Sequence, residues 1–111
     1  MGRRENLGEL EALVLTAVIR VGQRANGTAV YEEIEVRSGR DASLPAVHVT
    51  LRRLEEKGLL VSEAGGRSPR GGRPRRFYRP TPEGVRALEA FRAMWRTVWR
   101  RLELPDPETL S

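Results

Sequence analysis

A chain of 111 residues has room for one domain around one modest core, and chains of this size commonly bury further apolar surface by assembling. The formal net charge is +5, and every one of the 20 basic residues except Lys57 is an arginine. Guanidinium forks match phosphate oxygens two at a time, so this balance suits phosphate-bearing partners. The absence of cysteine excludes disulfide scaffolds, thiolate zinc sites, iron–sulfur clusters and thiol nucleophiles. The longest mostly apolar stretch, Ala12 to Ile19, falls far short of the roughly 20 residues that span a bilayer, and no signal-peptide pattern precedes it. A soluble, cytoplasmic protein without membrane contact is expected.

In chain order, Asn6 followed by Glu9 offers an N-cap and its partner, after which Leu10, Leu13, Val14, Ala17, Val18 and Val21 recur at helical spacing. A first helix is expected from Leu7 to Val21. Ala12, Leu15 and Ile19 make its other side apolar as well, so burial on more than one face is expected, with a second subunit as one cover. The polar turn from Gly22 to Gly27 leads to Thr28, which can cap a second helix running to about Ser38, with Val30 and Ile34 inward. Ser43 caps a third helix that tolerates Pro45 in its first turn and stops at Lys57 and Gly58. Leu59 to Ala64 and Arg76 to Pro80 have the character of two short strands. The stretch between them holds four glycines, two prolines and several arginines, the composition of a long hairpin tip. Thr81 and Pro82 open a last helix that the periodicity extends to about Glu103, before Pro105 and Pro107.

This order of elements is that of a winged helix-turn-helix. The expected fold class is mainly α with a small β-hairpin wing: a DNA-binding domain over residues 1–80, a C-terminal dimerisation helix over 81–104 and a tail over 105–111. On the third helix Val47, Leu51 and Leu54 share one face, suited to the core, while Pro45, His48, Val49 and Arg52 share the other. In a helix-turn-helix the second helix of the pair enters the major groove, which makes Arg52 the best candidate for a bidentate contact with guanine. Arg53 follows it, and His48 could donate to a base or a phosphate. Glu55, Glu56 and Lys57 read as ordinary solvated surface. Between Gly65 and Pro80 stand Arg67, Arg70, Arg73, Arg75, Arg76 and Arg79 with no acidic residue, a pattern suited to phosphate contact or minor-groove insertion. Arg3 and Arg4 are a second, weaker basic pair.

The stretches LGELEALVLTAVIRVG, NGTAVYEEIEVRSGR, SLPAVHVTLRRLEEKGLL and GRPRRFYRPTPEGVRAL together resemble the PadR family of bacterial transcriptional regulators. The third stretch is common to many winged-helix families. The RRFYRPTPEG segment is more specific to this one. The resemblance covers Leu7 to about Leu102 and implies that Ser43 caps the recognition helix, that Tyr78 lies in the second wing strand, and that Thr81 and Gly84 begin the last helix. Two positions depart from the family pattern: His48 stands where a tyrosine is usual, and Pro45 where a glycine is common. The family's tyrosine lies on the DNA-facing side, so its replacement by His48 bears on the target sequence rather than the fold.

Leu88, Phe91, Trp95, Val98 and Leu102 alternate at spacings of three and four, the rhythm of a coiled-coil seam. With Leu10 and Val14 of the first helix they form the expected interface of a two-fold homodimer. The resemblance further implies that such an interface could transmit a ligand signal, for which Trp95 and Trp99 could stack a small flat aromatic effector. No cofactor or metal is expected. The sequence lacks paired carboxylates, a nucleophile with its base and a phosphate-binding glycine loop, which argues against an enzyme. The function expected is sequence-specific binding of double-stranded DNA, as a repressor. An adaptor that keeps the fold without reading DNA is the alternative, and binding to structured RNA is a further rival.

Overall fold

The computed structural model describes residues 7–40, 42–66 and 75–110. Four helices and one hairpin follow in the order α1 (Glu9–Val21), α2 (Gly27–Ser38), α3 (Leu44–Glu56), β1 (Leu60–Ala64), β2 (Arg76–Pro80) and α4 (Pro82–Val98), with a 3-10 turn at Pro107–Thr109. Helices α1, α2 and α3 enclose the core, in which Val14, Leu15, Val18, Val30, Val47, Leu51, Leu54 and Leu60 are essentially inaccessible. The antiparallel hairpin pairs Leu60 with Pro80, Ser62 with Tyr78 and Ala64 with Arg76. Ala25, in the turn between α1 and α2, accepts the Tyr78 amide at 2.9 Å and so forms a one-residue third strand. That bond anchors the root of the wing to the helical core.

Helix boundaries show where tertiary contact overrides local preference. The first helix starts at Glu9, two residues later than expected, because Gly8 is the extended N-cap and the Glu11 carboxylate accepts its amide at 2.9 Å. Leu7 is buried ahead of the helix rather than within it, and Asn6 lies outside the described residues. The second helix is capped not by Thr28 but by Asn26, whose side chain accepts the Ala29 amide at 2.8 Å. Asparagine caps at least as well as threonine. Ser43 caps α3 as expected, accepting from Ala46 at 3.2 Å. Gly58, at φ 81°, supplies the left-handed residue after the helix end. Strand β1 begins one residue later than expected, since the Leu59 carbonyl accepts the Thr81 amide instead.

The last helix ends at Val98, not near Glu103. Its amides beyond that point turn back to carbonyls three residues earlier, Arg100 to Thr97 and Leu102 to Trp99, and Arg101 takes a left-handed conformation at φ 58°. Every described residue from Arg92 onward is exposed, so the chain's own core does nothing to hold a further turn in place. The first half of α4 behaves differently. There Ala87, Leu88 and Phe91 are half-buried against the core.

One ion pair ties the two ends of the helical core together. Lys57 Nζ lies 2.8 Å from Glu11 Oε2, joining the first turn of α1 to the end of α3, and Glu11 is buried. Burial alone would raise the Glu11 pKa, but the Gly8 amide, Lys57 and Arg53 together bring it below its ordinary 4.5. A carboxylate depressed in the folded state contributes stability that is complete above its unfolded value and is lost as pH falls through the folded one. Glu11→Gln is therefore expected to cost about 1–3 kcal/mol at pH 7. The deficit should close as wild-type Glu11 protonates below 4.5. Denaturant melts of both proteins across that range check this. Curves that stay parallel down to the acid limit would contradict it.

Candidate nucleic-acid interface

Helix α3 divides sharply between its two faces. Val47, Thr50, Leu51 and Leu54 are buried, while Pro45, His48, Val49, Arg52 and Arg53 are all exposed on the outside. Ser43 is exposed at the start of the helix with its hydroxyl engaged as the cap. The ring of His48 lies directly over Gly27, so closely that a Cβ at position 27 would overlap it. The imidazole thus has a packing part beside any contact it makes outward: it sets how near the first turn of α2 comes to α3.

The wing stands beside this face. Arg75 and Arg76 are exposed, whereas Arg67, Arg70 and Arg73 lie outside the described residues, as do Arg3 and Arg4. The base of the hairpin is tightened by the Gly65 amide, which donates to the Arg75 carbonyl at 2.6 Å. Gly65 must be small there, since the Phe77 ring occupies the space a side chain would need. Phe77 also carries the Arg24 guanidinium, 5.0 Å from its ring centroid. Arg79 faces Glu63 across the strands at 3.7 Å, an exposed pair worth little to stability.

Two participants escaped the sequence reading. Glu55 is not free solvated surface: half-buried at the end of α3, it accepts a hydrogen bond from Ser62 Oγ at 2.7 Å. The same hydroxyl accepts from Arg76 Nε at 3.0 Å. Tyr78, the cross-strand partner of Ser62, sits in the same group. Its phenol is pushed above 10.0 by burial and by the charge of Glu55, with Arg76 and Arg52 acting in the opposite sense. Nothing in local sequence links a helix-terminal glutamate to a strand serine seven residues on. Only the hairpin register brings them together. Lys57, likewise read as surface, is the partner of Glu11 described above.

The expected dimer residues divide into three groups. Val14 is fully enclosed by the chain's own core and has no surface to give a second subunit, because α1 turns this residue inward between α2 and α3. Leu10, Leu88 and Phe91 are half-buried against the core and keep part of their surface. Trp95, Val98 and Leu102 are exposed, Leu102 lying past the helix end and so off the seam. The aromatic rings form a ladder: Phe91 meets Trp95 edge to face at 6.2 Å, and Trp95 meets Trp99 at 4.8 Å with a tilt of 42°. The two tryptophans already touch, so no slot for a flat molecule exists between them, and only their outer faces are open to one. A cleft of about 340 Å³ lies elsewhere, between the end of α1 and β2, lined by Ile19, Arg24, Phe77 and Tyr78 among others. Among the described residues no cluster of metal-ligating side chains occurs, and no helix is long and apolar enough to cross a membrane.

Comparison with known proteins agrees with this architecture. The profile of the Transcriptional regulator PadR-like family matches residues 14–90. A PadR family transcriptional regulator from Eggerthella lenta is 32% identical, with 80% of this chain and 73% of that one covered at a TM-score of 0.65. A PadR family transcription regulator from Clostridium difficile, 24% identical over 82% of this chain and 91% of that one, superposes with a TM-score of 0.69. The winged-helix DNA-binding protein F93 from STIV shares the fold at 17% identity, covering 89% of this chain and all 100% of its own, with a TM-score of 0.65. No curated protein matches. With the family profile spanning most of its length, from the middle of α1 into α4, the chain belongs to the PadR-like family of transcriptional regulators.

Proposed function

We propose that this protein is a cytoplasmic repressor that binds double-stranded DNA as a two-fold homodimer. In this reading α3 enters the major groove, the wing arginines hold phosphates on either side, and two copies meet an inverted repeat with half-sites on the order of 34 Å apart. The observation that carries it is the two-faced α3, whose exposed side presents His48, Val49 and Arg52, with Arg75 and Arg76 exposed on the wing that is bonded to the end of the same helix. Arg52 reads a base, with His48 beside it, and the wing arginines supply charge. Repression follows from the same economy: a unit made of a DNA-reading face and an assembly helix acts most simply by occupying a promoter. A small aromatic effector, if one acts, lies on the open faces of Trp95 and Trp99 or between copies.

Selection of bound fragments from a random duplex library at about 150 mM salt, where exposed charges are screened beyond roughly 8 Å, tests this directly. An inverted-repeat motif is the expected result. On the selected operator, Arg52→Ala should relax discrimination at one base position by about 1–3 kcal/mol. Arg75→Ala should weaken all duplexes alike and lower the salt slope by about one phosphate contact. Salt-sensitive binding with no motif would leave a nonspecific binder. Absence of binding would turn the reading toward a protein-interaction adaptor, which the uncharged first turns of α3 would suit.

A further inference from the structure

We propose that Glu55 and Ser62 are positioning residues for DNA binding: together they fix the wing to the end of the recognition helix and aim the Arg76 guanidinium at the phosphates beside the groove that α3 enters. The proposal rests on the DNA-reading function put forward above and names how one of its contacts is prepared.

The chain of bonds runs through three elements, from the penultimate residue of α3 through the middle of β1 to the first residue of β2. Its chemistry restricts what can stand at the centre. An ionised carboxylate only accepts hydrogen bonds and a guanidinium only donates them, so a group that joins them in line must do both, as a hydroxyl does. Ser62 donates to Glu55 at 2.7 Å and accepts from Arg76 Nε at 3.0 Å. The engaged atom of Arg76 is the inner nitrogen. Both terminal amino groups of the fork therefore remain for a phosphate, and the exposed side chain gives up less rotational freedom when it meets one.

Glu55 has the wrong sign to face DNA itself. A carboxylate half-buried among Arg52, Arg76 and Tyr78 makes sense as an internal counter-charge that acts through its neighbours. Arg52 stands one turn before Glu55 on α3, so the same carboxylate neighbours both the candidate base reader and the wing arginine. Wing and recognition helix thereby move as one body instead of finding each other anew on each encounter with DNA.

The test is a double-mutant cycle on the full chain, with affinity measured on the selected operator and thermal melts confirming that each variant is folded. Ser62→Ala is expected to lower affinity roughly three- to tenfold, the factor of one hydrogen bond to a charged group. Ser62→Thr keeps a hydroxyl in a residue suited to strands and should stay within about twofold of wild type. In an Arg76→Ala background, Ser62→Ala should cost nothing further, because the side chain it positions is gone. Independent effects of the two substitutions, or a threonine variant no better than alanine, would overturn the proposal while leaving the DNA reading intact. A wild-type protein that binds no duplex would overturn both, and that outcome is visible before any variant is made.

Discussion

Gly84→Ala is expected to destabilise this protein by about 2–4 kcal/mol, combining overpacking with a weakened cap. Gly84 is the third residue of α4 and is buried where that helix starts off the wing. A methyl group there would overlap the Leu59 carbonyl oxygen. The oxygen cannot retreat cheaply, because it accepts the Thr81 amide at 3.1 Å. Thr81 is held from its other side as well: its hydroxyl donates to the Gly58 carbonyl at 2.7 Å and accepts the Gly84 amide at 3.0 Å. Any shift that makes room for alanine therefore strains the cap of α4 and the exit from α3 together. In a domain of this size the loss should lower the melting temperature by roughly 10–20 °C. Gly66→Ala, where the space around an added methyl is open, serves as the control and should change little. A Gly84→Ala protein melting within about two degrees of wild type would show that the backbone yields more easily than this network of bonds allows.

The same junction shows what a sequence can tell. Threonine and proline in T-P-E-G announced a cap and a first helical turn, which rest on bonds between near neighbours in the chain, whereas the close approach of Gly84 to the Leu59 carbonyl did not show in the pattern. The buried face of α3 was legible for a related reason: Val47, Leu51 and Leu54 obey a period that any amphipathic helix must obey. What stayed hidden depends on contacts between distant parts of the chain. Thr28 was an acceptable cap by preference, and Asn26 prevailed in a turn whose next residue, Gly27, leaves room for the ring of His48 from α3. Glu11 and Lys57 are 46 residues apart, and no local pattern could pair them. Glu55 read as surface because helix periodicity places it off the core. Its partner Ser62 becomes visible only once the hairpin register is known. Val14 was given to an interface because apolar residues surround α1, whereas the packing of three helices had already claimed it. The end of α4 was overestimated for the opposite reason: the periodicity continued past the last point where the chain's own packing could hold a helix.

Trp95→Glu is expected to raise the dimer dissociation constant about a thousandfold while leaving the fold of each chain intact. The second half of α4 and its cap residue Trp99 present Met94, Trp95, Val98 and Trp99 to solvent, with Trp95 38% and Trp99 58% exposed in the single chain. A run of large apolar side chains on one protruding helix is an interface when a partner covers it and an aggregation hazard when none does. In the proposed two-fold dimer the cover is the same helix of a second copy. A central tryptophan in such a seam is worth about 2 kcal/mol or more. Two-fold symmetry counts each substitution twice, giving roughly 4 kcal/mol, or about three decades in affinity. Trp95 touches Phe91 and Trp99 only at ring edges and tilted faces, so the isolated domain should fold without it. Sedimentation across a concentration series reads the dimer directly. On DNA, the variant should bind a single half-site as wild type does and lose the added affinity for an inverted repeat, which separates assembly from base reading. A wild-type chain that is monomeric at micromolar concentration would remove the two-fold reading altogether. A Trp95→Glu protein that remains a tight dimer would instead move the seam toward the half-buried Leu10 side of α1, another apolar surface that the core leaves partly open.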